Sequence, residues 1–185
     1  TGADMLTMAF HKMGGPKGVG AMVLKPDVAL SPHVTGGSQE RNRRAGTENT
    51  LGILGAGVSA AESNTSITIM RDKIQPLRDM MEAELKKISN EIVIIGEGAE
   101  RVPNTSSIML PGVAGETAVM MLDLAGYAVA TGSACSSGRV EPSRVILAHG
   151  YAEEQAVNTL RVSLGYQTTR DDILGFVAAV KNILQ

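Results

Sequence analysis

The spacing of apolar and polar positions changes several times along the chain, and each change marks an expected element. Apolar residues dominate 4–10 and again 19–24, which read as two short strands, with the glycine-rich run Met13 to Gly20 as the turn between them. Pro26 and Pro32 mark 25–34 as a loop. Over 51–61 the apolar positions are mixed with Gly52, Gly55, Ala56, Gly57, Ala60 and Ala61, the composition of a helix that packs very close to its neighbours. The polar run Glu62 to Ser66 is the expected internal boundary. Beyond it Ile74, Leu77, Met81, Leu85 and Ile88 recur at spacings of three and four, so a helix is expected there, with Pro76 in its first turn or at a kink. The β-branched run 92–95 predicts a strand, as do 106–110, 128–130 and 160–164. Helices are expected at 116–124, 142–148 and 153–158. Ile173, Phe176, Val177, Val180, Ile183 and Leu184 share one face of a closing helix over 171–184, for which Thr169 or Asp171 is the expected cap.

Helices alternate with strands after the boundary, so this part reads as a small α/β domain. A length of 185 residues fits one or two domains, and a hydrophobic fraction of 43% with a mean hydropathy of +0.05 supplies enough apolar mass for a core. A net charge of -2 and a pI near 5.9 give no reason to expect nucleic acid or a membrane surface as partner. No apolar run is long enough to span a bilayer, and no signal peptide is visible. One cysteine allows no internal disulfide, in accord with a reducing compartment. Thr1 has no Met before it and a strand begins almost at once, which suggests a piece of a larger domain.

Four places carry candidate chemistry. Cys135, the single cysteine, lies in Ala130-Thr131-Gly132-Ser133-Ala134-Cys135-Ser136-Ser137-Gly138, a run of small residues that reads as a mobile exposed loop. A thiol there is either an accessible nucleophile or a small buried hydrophobe. Lys12 follows His11 at a strand end; the bare pattern is a hairpin turn, and the alternative is a lysine that forms a Schiff base with a carbonyl. Arg41, Arg43 and Arg44 precede Thr47 at the start of the small-residue helix. They form either a solvated or salt-bridged face or an anion site. Arg161, within the strand Leu160-Arg161-Val162-Ser163-Leu164, is an ordinary exposed arginine or a bidentate clamp for a carboxylate.

The ordered stretches His11-Lys12 with Gly14-Gly15-Pro16-Lys17-Gly18-Val19-Gly20, Gly36-Gly37-Ser38-Gln39-Glu40-Arg41 through Arg43-Arg44-Ala45-Gly46-Thr47-Glu48-Asn49, Gly132-Ser133-Ala134-Cys135, Glu141-Pro142-Ser143 and Leu160-Arg161-Val162-Ser163-Leu164-Gly165 together resemble a cysteine desulfurase. This is a pyridoxal-phosphate enzyme of the class V aminotransferase group, and the long loop through Glu141 resembles the branch serving iron–sulfur or nitrogenase assembly. The resemblance implies an α/β chain of fold type I, its C-terminal portion. On that reading residues 1–66 are the end of the large cofactor-binding domain, and 67–185 are the small C-terminal α/β domain. It implies that Lys12 holds pyridoxal phosphate and shuttles protons, that His11 contacts the cofactor, and that Thr47 reaches the phosphate held by a partner subunit. A homodimer follows. Arg161 would clamp the substrate carboxylate, and Cys135 would take sulfur from L-cysteine as a persulfide, leaving alanine. A sulfur acceptor or iron–sulfur scaffold protein is the implied partner, and the cytoplasm the implied compartment. Selenocysteine lyase or another class V lyase, and a non-catalytic dimerisation or sulfur-relay piece, are the alternatives. The family's usual serine three residues before the lysine is Ala9 here, its small residue before the histidine is Phe10, and its third glycine before Gln39 is Ser38. The family's N-terminal half, with the groups that grip the cofactor ring, has no counterpart in these 185 residues, so the isolated chain is expected to be inactive.

Overall fold

The computed structural model describes residues 2–131 and 142–185. The chain divides into two compact units, Thr1–Ile67 and Thr68–Gln185.

In the first unit β1 (Met5–Ala9) and β2 (Gly20–Leu24) pair antiparallel, Met5 opposite Leu24 and Ala9 opposite Gly20. The expected hairpin is there, closed by a 3-10 turn over Phe10–Lys12. A loop leads to α1 (Gln39–Asn42), which is not right-handed: Glu40, Arg41 and Asn42 have φ of 51°, 57° and 62°. Left-handed backbone costs L-residues roughly 1–2 kcal/mol each, so this turn is held by its surroundings. The long helix α2 (Thr50–Ile69) follows. The polar run 62–66, expected as the internal boundary, lies inside it, and the units divide just past that run, after Ile67. No Gly or Pro interrupts that run, and Ser63 Oγ donates to the Ala60 carbonyl at 2.7 Å, which folds the polar side chain back onto the helix. Leu51, Leu54 and Val58 of α2 are exposed, whereas Gly52 and Ala56 are buried.

The second unit opens with one π-helical turn, Met70–Ile74, which runs without a break into α3 (Gln75–Ile88); Pro76, which has no N–H to donate, stands directly after this wider turn. Its sheet has the order β3 (Val93–Ile94), β4 (Thr105–Met109), β6 (Thr159–Ser163), β5 (Ala130–Thr131), and every neighbouring pair is antiparallel. The helix–strand alternation thus gives a mixed α/β unit without parallel pairing among the described strands. Helices α4 (Gly115–Leu124) and α7 (Arg170–Ile183) join α3 over one face, while α5 (Arg144–Ala148) and α6 (Glu153–Val157) are short connectors. Ile74, Met81, Leu85, Ile108, Leu122, Leu160 and Val180 form the centre of the core between helices and sheet.

Two polar devices hold this unit. Glu82 on α3 is buried and accepts hydrogen bonds from Arg101 Nη1 and Nη2 at 2.8 and 2.9 Å. Burial alone raises the Glu82 carboxyl, but the hydrogen bonds and charge of Arg101, helped by Arg78, outweigh it and hold the carboxyl below its ordinary 4.5. Arg78, also buried, donates to the Val102 carbonyl at 2.6 Å, so the loop before β4 is tied to α3 twice. At α7 the cap is Thr169, not Asp171: its Oγ1 accepts the Asp172 N–H at 3.2 Å, and Asp172 Oδ2 accepts the Thr169 N–H at 2.8 Å.

Candidate active site

Lys12 owes its position to turn chemistry. Phe10 is buried, its N–H donates to the Val19 carbonyl at 3.3 Å, and its own carbonyl accepts from Met13 and Gly15 at 3.0 and 2.8 Å. A Cβ on Gly15 would come within 2.7 Å of Ser59 Oγ and 2.9 Å of Phe10 Cβ, so only glycine lets the turn close against α2. With Phe10 anchored inward, His11 and Lys12 stand exposed at the hairpin end. Neither side chain has a hydrogen-bond or ion-pair partner among the described residues.

Thr47 lies in the same unit and is exposed. It is not at the helix start: α2 begins at Thr50 and is capped by Asn49, whose Oδ1 accepts the Gly52 N–H at 3.1 Å. Thr47 lines a groove with Gly18, Gly20, Glu40, Arg44 and Asn49, a set that excludes His11 and Lys12. The arginines upstream do not act alike. Arg44 is internal bracing, its Nη1 donating to the Gly46 carbonyl at 2.7 Å and to the Ala45 carbonyl at 3.2 Å, its Nη2 meeting Glu40 at 3.3 Å. The same bonds, with Gly46 N–H donating to Gln39 Oε1 at 3.1 Å, hold the left-handed turn. Arg41 and Arg43 have no partner among the described residues and rim a cleft between β2 and α2.

Arg161 belongs to the second unit and sits in β6, with β4 on one side and β5 on the other. Its neighbours Leu160 and Val162 are buried under the helices, so Arg161 projects from the open face, exposed and without a partner among the described residues. Register places Ser107 opposite it on β4 and Ala130 opposite it on β5. The β5–β6 ladder is only two residues long, and a side chain secures it: Thr131 Oγ1 donates to the Thr159 carbonyl at 2.6 Å. A Cβ on Gly115 would lie 2.1 Å from Thr131 Oγ1 and 2.8 Å from the Thr159 carbonyl, so the start of α4 presses directly on this clasp. Cys135 lies outside the described residues, between β5 and Pro142.

The first unit therefore carries His11, Lys12 and Thr47, and the second carries Arg161. Sequence reasoning did not place Ser107 opposite Arg161 or find the Thr131 clasp, because both depend on strand register and no local pattern announces them. Among the described residues no group of His, Cys, Asp and Glu side chains could hold a metal ion. No helix among them is long and apolar enough to cross a membrane.

Residues 1–176 match the aminotransferase class-V family. The chain is 36% identical over 184 residues to a protein named cysteine desulfurase IscS from Dictyoglomus turgidum, covering 100% of this chain and 47% of that relative. It is 37% identical over 169 residues to cysteine desulfurase NifS of Azotobacter vinelandii, covering 91% of this chain and 42% of the relative. A solved NifS-like protein from Rickettsia africae superposes with a TM-score of 0.85 at 32% identity, over 98% of this chain and 48% of that one. The chain spans about half the length of the relatives it matches. Over that shared part its architecture is that of the NifS-like structures.

Proposed function

The chain belongs to the aminotransferase class-V family, and from that membership we propose that it is the lysine- and cysteine-bearing half of a cysteine desulfurase dependent on pyridoxal phosphate. The observation that carries the reading is similarity along essentially the whole chain to proteins bearing that name, at 36% and 37% identity. The donor set fits the cofactor. Lys12 offers an amine with no competing partner, Thr47 a hydroxyl with none among the described residues, and the group to be held carries an aldehyde and a phosphate. When bound, pyridoxal phosphate supplies an electron sink for bond changes at the substrate α-carbon.

The chain's own residues divide the remaining work. Lys12 holds the cofactor and carries protons at Nζ, with His11 beside it. Arg161 binds the α-carboxylate of L-cysteine through its planar fork, a geometry that lysine cannot reproduce. Cys135 Sγ attacks the substrate sulfur: an S–S bond forms, the carbon–sulfur bond breaks, and alanine leaves. The persulfide then passes to an acceptor protein, of the iron–sulfur assembly kind that the IscS and NifS names suggest. In a cytoplasmic homodimer, Thr47 of each subunit would serve the cofactor held by the other. Residues 1–66 and 67–185 are proposed as the large-domain and small-domain parts.

The test is made in the cofactor-loaded enzyme. Lys12→Ala is expected to abolish cofactor trapped by borohydride. Cys135→Ala is expected to keep trapped cofactor and to lose alanine and sulfide release by at least about a hundredfold, the scale of a lost covalent nucleophile. Cofactor trapped on another lysine, or sulfide released by the Cys135 variant at the parent rate, overturns the assignment.

A further inference from the structure

The open face of the second unit's sheet sets a hydroxyl beside Arg161. Ser107 stands directly opposite Arg161 in the β4–β6 register. Residues so paired in an antiparallel ladder project from the same face, with Cβ atoms about 4.5–5.5 Å apart. Burial alternates in step on both strands. Ser106 and Ile108 are buried on the helix side, as are Leu160 and Val162, while Ser107 is half-buried and Arg161 exposed. On the other flank Arg161 faces Ala130, whose methyl group offers no hydrogen bond. The Ser107 carbonyl is occupied by the Ile95 N–H at 2.9 Å, but its hydroxyl has no partner among the described residues, and neither has the guanidinium of Arg161.

These two free groups differ in what they can do. The guanidinium fork engages one edge of a carboxylate with two parallel N–H donors. A carboxylate has about four lone-pair sites, so two remain for other donors. The flank nearest β4 offers the Ser107 hydroxyl, which rotates to suit; the flank nearest β5 offers only Ala130. We propose that Ser107 is a second contact for the substrate α-carboxylate, fixing its rotation about the Arg161 fork. The inference rests on the reading of Arg161 as the carboxylate clamp. It makes Ser107 a specificity-determining residue for substrates with a free carboxylate, because an ester presents fewer acceptor sites to two donors at once.

The experiment compares Ser107→Ala, Ser107→Thr and Arg161→Lys in the cofactor-loaded enzyme, with L-cysteine and its methyl ester as substrates. Ser107→Ala is expected to raise KM for L-cysteine roughly tenfold, equivalent to about 1.4 kcal/mol, with kcat within about twofold of the parent. The preference for the acid over the ester should narrow by a similar factor. Ser107→Thr keeps a hydroxyl and should keep the parent KM. Should the alanine variant fail to fold, Ser107→Val removes the same hydroxyl from a strand-compatible side chain and carries the same expectation. A Ser107→Ala enzyme with unchanged KM beside an Arg161→Lys enzyme with a raised one overturns the role of Ser107 alone. An Arg161→Lys enzyme with unchanged KM overturns the clamp, and the Ser107 contact with it.

Discussion

The two units use their apolar residues in opposite ways. In the second, helices α3, α4 and α7 cover one face of a four-stranded sheet and leave Ile74, Met81, Leu85, Leu122 and Leu160 with no exposed surface. In the first, Phe10, Ala45 and Ala56 are the buried apolar side chains among the described residues. There Met5, Leu6, Met22 and Val23 on the hairpin stay exposed, with Leu51, Leu54 and Val58 on α2. The residues proposed for the chemistry follow the same division. Arg161 is placed by a closed core directly beneath its strand, whereas Lys12 is placed by one anchored phenylalanine and a glycine that lets a turn close. A position set by a core is disturbed by any loss of packing. A position set by a turn is disturbed chiefly by a change within that turn.

The sharpest way to break this comparison is to truncate one leucine in each unit. Leu160 is fully buried next to Arg161, and Leu160→Ala should destabilise the second unit by about 4 kcal/mol through lost burial and the cavity left behind. Leu54 is 68% exposed, and Leu54→Ala should change stability by less than about 0.5 kcal/mol. A urea titration followed by circular dichroism, which reports the helices of both units, reads the outcome, with the fluorescence of Tyr127, Tyr151 and Tyr166 isolating the second unit. A Leu54 variant that moved the midpoint as far as the Leu160 variant would show that exposed apolar residues of α2 are packed in solution.

A smaller effect, with a pH signature, comes from the buried ion pair. Glu82→Gln removes one partner and leaves Arg101 uncompensated, a loss of about 3 kcal/mol near neutral pH. The folded protein holds the Glu82 carboxyl below its ordinary 4.5, so its contribution is complete above that value. It is lost as pH falls through the lower folded value. The parent should therefore lose stability on acidification below about pH 4.5, and Glu82→Gln should lose less over the same window. Parallel stability curves for parent and variant would remove Glu82 from the account.

Periodicity made most of the second unit legible. Ile74 to Ile88 and Ile173 to Leu184 repeat at helical spacing because each presents one stripe to a core, and the helices stand there. The hairpin was legible for a different reason: glycine clusters have few other uses between two apolar runs. What failed did so where a side chain overrode composition. The helix expected to end at Ala61 runs on to Ile69, because Ser63 bonds back to its own helix, while the units divide just past this run, after Ile67. Arg44 reads as an anion binder or as part of a salt-bridged face, and its guanidinium is found on Glu40 and on the carbonyls of Ala45 and Gly46. The left-handed turn at Glu40–Asn42 has no glycine to announce it. Lys12 and Arg161 are proposed as site residues by motif. Ser107 is not, because opposition across a ladder is a property of register, and the short strands of this sheet have no repeating pattern that fixes it.

The smallest expected effect compares two caps. Asn49 and Thr169 each accept a backbone N–H of the first turn of a long helix, at 3.1 and 3.2 Å. Thr169 does more: the Asp172 carboxylate answers it, accepting from its N–H at 2.8 Å and from its hydroxyl at 2.7 Å. These bonds hold the exposed Asp172 carboxyl below its ordinary range. Thr169→Ala should cost the second unit about 1 kcal/mol, because α7 is part of a closed core and its start cannot fray alone without exposing Ile173 and Phe176. Asn49→Ala removes a similar bond from a helix whose first turn carries the exposed Leu51 and Ile53. Fraying there uncovers little, so the expected result is faster amide exchange at Gly52 and only a few tenths of a kcal/mol, well below the Thr169 value. Urea midpoints for both variants, with exchange followed at Gly52 and Asp172, decide the matter. Equal midpoint losses would mean that the start of α2 is as tightly bound into a core as the start of α7, and the contrast between the two units would fall with them.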